Sequence, residues 1–329
     1  MRFTVKAADD NKTLLALLEE KTGASATKVR SLIKKGAVLV DGRAAPRPDS
    51  TVSAGQSVEI KGKKDREPRS KRGREDRKAE RRHLLEILYE DDHIIAAQKP
   101  AGMLSISTKT ENMNTFYRAV SDHVKENSGG RGKIFVVHRL DREVSGVMLF
   151  AKSQEVKKAL QDSWEKAEKV YTAVVHGRPP RDKGTITGWL CEVGENLVRS
   201  CPAPPAAQKK QETASMDKKR PVAKMAVTHY RVVSESRDQN LCLLEVRLET
   251  GRKHQIRVHL RDMGCPVAGD KKYGVLPQKA ALGLRQLGQM GLHASRLSFT
   301  HPVTGRRVII ESPAPASFLL PFKGSKKGI

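Results

Sequence analysis

The stretch His138-Arg-Leu-Asp141-Arg-Glu-Val-Ser-Gly146 is a charged segment that ends in glycine and lies between two apolar runs. The runs, residues 134–137 and 147–151, are short and rich in Val, Ile and Phe, a composition typical of buried strands. A loop between two buried strands is held at both ends by the sheet, where a catalytic side chain is well positioned. We therefore predict a functional loop at residues 138–146.

Asp141 is the candidate catalytic residue of this loop. The basic side chains of His138, Arg139 and Arg142 surround it in sequence, and nearby positive charge keeps a carboxylate ionised. An ionised carboxylate is able to act as a nucleophile. The alternative is a solvated polar loop without a catalytic role, because charged loops are common on protein surfaces.

A second strong pattern covers Leu241–Leu248 and the residues that follow, up to Leu260. It predicts a strand, a turn and a helix that carries His254, Arg257 and Arg261 on one basic face. His254 and His259 are five residues apart and so do not form the i, i+4 pair of a helical zinc site. We predict no metal site here.

The loop at 138–147, followed by Ala-Lys, resembles the signature loop of the RluA-type pseudouridine synthases, although Val144 stands where that family usually has Thr. The resemblance implies that Asp141 is the catalytic residue. Lys169-Val-Tyr171 resembles the family strand whose Tyr lies against the target base. The run from Thr250 to His259 resembles the segment whose Arg, here Arg257, pairs with the catalytic Asp.

With further matches near residues 89–102, 269–274 and 292–302, the resemblance covers most of residues 85–315. It implies an RNA pseudouridine synthase, an isomerase that needs neither a cofactor nor a metal. It also suggests that Arg139 fills the space that the extracted base leaves. A non-catalytic RNA-binding or ribosome-assembly protein on the same fold is one alternative. A glycosidase-like hydrolase is another, and it would need a second placed carboxylate; in the loop only Glu143 is available.

The N-terminal sixty residues predict two helices and a small strand system. The first helix opens at Thr13 and stops at Gly23, Ser25 caps the second, and Asp41-Gly42 indicates a hairpin. The pattern resembles the S-four-type RNA-binding domain, whose basic second helix meets RNA. This implies an RNA-binding face, with ordinary solvated charge as the alternative. Its members are Lys28, Arg30, Lys34 and Lys35, and we add His254 from the second pattern.

These signals divide the chain into an S-four-like domain at 1–60, a charged linker at 61–83 and a catalytic domain at 84–329. The linker has almost no apolar residues and is expected to be disordered. The predicted fold class is α+β, with a mostly antiparallel mixed sheet flanked by helices in the catalytic domain, preceded by a small α/β domain. Residues 179–221 predict a surface excursion in which only 186–193 resemble a strand.

The composition indicates a polyanionic partner. The net charge of +25 over 329 residues far exceeds what solubility needs, and it favours a nucleic acid. No apolar run reaches the roughly 18 residues of a membrane span, and no signal peptide is apparent. The four cysteines lack a Cys-x-x-Cys pair, so we expect reduced thiols. We expect a cytoplasmic monomer that acts on RNA, with large-subunit ribosomal RNA ahead of tRNA.

Overall fold

The computed structural model describes residues 1–34, 36–45, 47–61, 85–108, 114–194, 196–204, 222–274 and 287–322. The chain divides into two compact units, Met1–Arg77 and Lys78–Ile329. Most of the predicted linker (62–83), Lys35 and residues 205–221 lie outside the described residues. Within the described residues, no helix has the length and hydropathy of a membrane span.

The first unit packs two helices on a four-stranded antiparallel sheet of order β1-β4-β2-β3. Its elements are β1 (Arg2–Thr4), a 3₁₀ turn (Ala7–Asp9), α1 (Leu14–Thr22), α2 (Ala26–Lys34), β2 (Val38–Val40), β3 (Arg43–Ala44) and β4 (Ser57–Ile60).

The predicted boundaries of α1 are confirmed. Thr13 accepts a hydrogen bond from the Ala16 amide at the N-terminus, and Gly23 closes the helix with a left-handed φ of 64°. Asp41 and Gly42 also have positive φ, 48° and 79°, which is the backbone of a tight two-residue hairpin turn between β2 and β3.

The second unit is built on one eleven-stranded sheet of order β11-β10-β12-β13-β9-β14-β8-β6-β5, with β15 added to β14 and β7 to β8. Its strands are β5 (Glu86–Glu90), β6 (Ile94–Lys99), β7 (Phe135–Val136), β8 (Ser145–Ala151), β9 (Glu168–His176), β10 (Lys183–Val193), β11 (Leu197–Cys201), β12 (Ala223–Ser236), β13 (Leu241–Leu248), β14 (Leu292–Thr300) and β15 (Arg307–Glu311). Its helices are α3 (Phe116–Asn127), α4 (Gln154–Asp162), α5 (Gln255–Asp262) and α6 (Ala316–Leu319), with 3₁₀ turns at Trp164–Lys166 and Leu320–Phe322.

Among the described strand pairs only β8 and β14 run parallel, so the predicted α+β class with a mostly antiparallel sheet is confirmed. Strand β8 is buried along its whole length because both faces of the sheet are covered. Met148 and Phe150 pack in the cluster that includes α3 and α5. Val147 and Leu149 point to the opposite face and pack with α4. The predicted loop at 138–146 leads into this central strand.

Two predictions about the region after residue 179 are wrong. The strand expected at 186–193 is confirmed as part of β10, but the described part of the excursion also forms β11, and both strands belong to the sheet, with β10 antiparallel between β11 and β12. Cys191 and Cys201 are joined by a disulfide between β10 and β11, whereas Cys242 and Cys265 are free and buried. The absence of a Cys-x-x-Cys pair did not exclude a disulfide, because the pairing of β10 with β11 brings Cys191 and Cys201 together.

Candidate active site

Hydrogen bonds tie the loop at 138–146 to the surrounding strands. The Leu149 amide donates to His138 Nε2 at 3.0 Å, and the Ser105 hydroxyl both donates to Leu140 O and accepts from Leu140 N. Lys99 Nζ, whose side chain is wholly buried, donates to Arg142 O at 2.9 Å. The loop is therefore held on both sides of Asp141, as its position between two strands predicts.

Val144 and Gly146 lie at the C-terminal end of the loop, where it packs against the sheet. Val144, at the position where a hydroxyl is usual in the family it resembles, is buried in the main hydrophobic cluster. Gly146 has a φ of 115°, and a Cβ there would collide with the backbone of Ala294 on β14. Glycine is thus required where β8 and β14 come together.

Arg257 joins Asp141 to a second carboxylate that the sequence reasoning did not identify. Arg257 Nη1 donates to Asp141 Oδ2 at 2.9 Å, while Nε and Nη2 donate to the two oxygens of Asp270 at 2.7 and 2.8 Å. Arg257 is 6% exposed and Asp270 is 2% exposed. A bidentate pair of this kind fixes the plane of the guanidinium, which in turn fixes the position of the Asp141 carboxylate.

The positive charge of Arg257 lies between the carboxylates of Asp270 and Asp141, and it shifts the pKa of its buried partner. Burial alone would lower the pKa of Arg257, but the hydrogen bonds and charges of Asp270 and Asp141 raise it above its ordinary value. Burial likewise raises the pKa of Asp270, and the Arg257 guanidinium outweighs this and lowers it. Both groups are therefore charged near neutral pH.

Tyr171 lies on β9, between β13 and β14, and lines the same pocket as Asp141, Arg139, His254 and Arg257. Burial, and then the Asp141 carboxylate, raises the pKa of Tyr171. The phenol therefore stays protonated near neutral pH.

The prediction that His254, Arg257 and Arg261 share one basic helix face is wrong for His254, which precedes α5, whereas Arg257 pairs with Asp141 as the family resemblance implies. All residues of the helix from Gln255 to Leu260 are buried, and Arg257 points to Asp141 and Asp270. His254, at the N-terminal end of the helix, has Nε2 3.7 Å from Asp141 Oδ2. Helical spacing does not apply to His254, which lies in the turn before α5 with a φ of 54°, and it did not show that Arg257 is buried between two carboxylates.

Lys28, Arg30 and Lys34 lie on α2 of the first unit and are exposed, while Val29 and Ile33 on the same helix are buried. This is the predicted amphipathic arrangement. Their role in RNA binding remains a prediction, and Lys35 lies outside the described residues.

The RNA pseudouridylate synthase family model matches residues 93–262 of this chain, which include Asp141, Tyr171 and Arg257. The chain belongs to the RNA pseudouridylate synthase family. The predicted enzyme class, an RNA-modifying isomerase, is thereby confirmed, while the roles of individual residues remain predictions. The match begins after the first unit, so the resemblance of residues 3–60 to an S-four-type domain also stays a prediction.

Relatives of this synthase extend over most of its length. It is 34% identical to the uncharacterized RNA pseudouridine synthase YlyB of Bacillus subtilis, over 88% of this chain and 86% of the relative. It is 33% identical to the ribosomal large subunit pseudouridine synthase D of Pseudomonas aeruginosa, over 90% and 86%. It is 34% identical to the tRNA pseudouridine synthase C of Haemophilus ducreyi, over 69% and 90%.

The fold of the synthase also has a solved counterpart. The structure of human RNA Pseudouridylate Synthase Domain Containing 4 superposes with a TM-score of 0.58 at 23% identity, covering 75% of this chain and 96% of the human chain. At this level of identity the likeness supports the fold alone.

The sequence reasoning assigned no role to three residues that contact the site: Lys99, Asp270 and Tyr273. Asp270 and Tyr273 belong to the segment Gly269–Gly274, which resembles the family without indicating a partner. Asp270 Oδ1 accepts hydrogen bonds from the backbone amides of Lys272 and Tyr273. The sequence could therefore have indicated a turn that begins at Asp270, but it could not indicate the pairing of Asp270 with Arg257. In the described residues no cluster of three or more His, Cys, Asp or Glu side chains is arranged to hold a metal.

Proposed function

We propose that this synthase isomerises specific uridines of large-subunit ribosomal RNA, with Asp141 as its nucleophile. The observation that carries the proposal is the carboxylate of Asp141, held by Arg257 at the wall of a pocket that Tyr171 also lines. Ribosomal RNA is preferred because the relative named for it matches 90% of this chain, while the relative named for tRNA matches 69%. tRNA is the second candidate.

The reaction rearranges bonds without oxidation or hydrolysis. The bond from C1′ of the ribose to N1 of uracil breaks, the base rotates, and C5 forms a bond to C1′. C5 then loses a proton and N1 gains one. The enzyme must capture or stabilise the electron-poor sugar or base and keep the detached base in place.

Asp141 has the geometry for the first task. Arg257 donates to Oδ2, and among the described residues no donor binds Oδ1, so one oxygen is held while the other is free to attack. The ion pair with Arg257, at 2.9 Å, fixes the direction in which the carboxylate points. Whether the sugar or the base is attacked, the same oxygen of the same residue supplies the electron pair.

Tyr171 and Arg139 serve the second task in this proposal. The protonated Tyr171 ring provides a stacking surface for uracil, and base–aromatic stacking contributes about 1–3 kcal/mol per base. An enzyme that works on a base must first extract it from its stack, and Arg139 lines the pocket next to Asp141, where it is available to fill the vacated place.

A hydrolase is disfavoured by the composition of the pocket. Glycoside hydrolysis normally needs two placed carboxylates, and Asp141 is the one carboxylate among the described residues that line this pocket. Glu143 is exposed and Asp270 is engaged with Arg257. Free uracil would be the product of a hydrolase and is not expected.

The test uses unmodified transcripts of large-subunit ribosomal RNA, small-subunit ribosomal RNA and tRNA, incubated with the purified protein and mapped for pseudouridine. We expect new pseudouridines in the large-subunit transcript, none with Asp141→Asn, and no free uracil. Modification of tRNA alone would overturn the choice of RNA. Release of uracil without pseudouridine would overturn the reaction.

A further inference from the structure

The Tyr273 hydroxyl fixes which nitrogen of His254 carries its proton. Tyr273 OH lies 2.6 Å from His254 Nδ1 and accepts a hydrogen bond from the Val198 amide at 2.9 Å. Burial raises the pKa of Tyr273, so the phenol keeps its proton, and among the described residues Nδ1 is the acceptor within its reach. His254 Nδ1 therefore accepts, and Nε2 carries the hydrogen.

This Nε2–H faces the nucleophile without a partner of its own. It lies 3.7 Å from Asp141 Oδ2, beyond hydrogen-bond distance, and no described residue accepts its proton at a shorter distance. The side chain is 9% exposed and lines the pocket. A donor at the wall of the pocket is thus left available for a ligand.

The backbone of His254 is held in an uncommon conformation to place the ring there. Its φ of 54° lies in the left-handed region, which non-glycine residues seldom adopt. Such conformations persist where the surrounding structure enforces them and are concentrated at functional sites. The bond to Tyr273 and the start of α5 directly after His254 supply that constraint.

The imidazole is neutral in this environment. Burial lowers the pKa of His254, and the nearby charges of Arg257, Lys272 and Lys253 lower it further, against the raising effect of Asp141. A neutral imidazole with a proton on Nε2 is a hydrogen-bond donor rather than an additional positive charge.

We infer that His254 is a further catalytic residue, whose Nε2–H donates to O2 of the target uracil as the C1′–N1 bond breaks. This inference rests on the proposed function. When that bond breaks, its electron pair remains on uracil, where N1, O2 and O4 share the charge. O2 is bonded to the carbon next to N1, so it lies beside the C1′–N1 bond that breaks, whereas O4 lies across the ring. A fixed donor at a site of developing charge accelerates the step that creates it.

The test combines a change in the enzyme with a change in the substrate. The probe is a synthetic RNA stem–loop that carries the modified uridine found by mapping, as uridine, 2-thiouridine or 4-thiouridine. Sulfur is a weak hydrogen-bond acceptor. We expect His254→Leu to lower the single-turnover rate on uridine about 10²-fold, the loss typical of one such donor. On 2-thiouridine the single-turnover rate of the same variant should fall less than about tenfold, since sulfur already weakens the contact to His254. On 4-thiouridine the rate should fall about 10²-fold, as on uridine.

Two variants separate this role from a structural one. His254→Gln retains an N–H donor near the position of Nε2 and should recover most of the rate. His229→Leu removes a half-exposed histidine of β12 that does not line the pocket, and it should leave the rate unchanged. An equal loss for His254→Leu on uridine and 2-thiouridine, or coupling to 4-thiouridine instead, would overturn the inference while the proposed function stands. A wild-type protein that forms no pseudouridine in any of the mapped transcripts would overturn both.

Discussion

Replacing Arg257 by alanine removes the counter-charge of two carboxylates at once. Asp270 is buried and bonded to Arg257 through both oxygens, and Asp141 is bonded through one. Breaking a buried ion pair by removing one partner costs about 3–5 kcal/mol. We therefore expect the free energy of unfolding to fall by about this amount, and the turnover of the remaining folded enzyme to fall by about 10²-fold or more, because Asp141 loses its orienting donor.

The assay measures urea unfolding and single-turnover pseudouridine formation for the same protein samples. Lys133→Ala is the matched control, since it also removes one positive charge but at a surface position before β7, where effects within about 0.5 kcal/mol are usual. Arg257→Lys should fall between the two, because a lysine ammonium cannot reproduce the planar contacts to both carboxylates. If Arg257→Ala behaved like Lys133→Ala in both measurements, the pairing account of the site would be refuted.

Three further predictions concern Asp270, Lys99 and the first unit. The Arg257 guanidinium lowers the pKa of Asp270 below its ordinary value of 3.8 in the folded protein. Ionised Asp270 therefore adds to the free energy of unfolding above pH 3.8, and this contribution is lost as the pH falls through the folded pKa. Urea unfolding of Asp270→Asn should lack this loss of stability below about pH 4. Lys99 Nζ donates to three part-buried carbonyl oxygens, those of Pro100, Met103 and Arg142. Lys99→Met should therefore cost about 3 kcal/mol in thermal or urea unfolding, at about 1 kcal/mol for each acceptor left unpaired, and a loss under about 1 kcal/mol would contradict this. Deleting residues 1–60 should weaken RNA binding and lower the log–log slope of affinity against salt by about 0.9 for each lost duplex phosphate contact. Turnover at saturating RNA should stay unchanged. A collapse of turnover with unchanged binding would show that the first unit helps to build the active site.

Local signals predicted the elements that hold the site. The apolar runs on either side of the loop became β7 and β8, and the alternating segment Leu241–Leu248 became β13 with the predicted ends. These features depend on neighbours within a few residues, which the sequence displays directly.

Long-range partners were beyond the reach of the same reasoning. The bond from Arg257 to Asp141 spans 116 residues, and only the resemblance to a family brought the two together. No such guide identified Asp270 as the second partner, or the Tyr273 hydroxyl as the group that orients His254. The excursion after residue 179 was misjudged for a related reason, since β10 and β12 stabilise each other across about forty residues.

The central claim, that Asp141 is the nucleophile of a uridine isomerisation, is tested most directly by tritium release from RNA whose uridines are labelled at C5. Each pseudouridine formed releases one C5 hydrogen to water, so the assay counts turnovers. The change Asp141→Asn keeps the size of the side chain and removes its charge. The account predicts release from the wild-type protein and none above background from Asp141→Asn, with unchanged urea unfolding and RNA binding. Release by the variant at a rate near that of the wild type would contradict it.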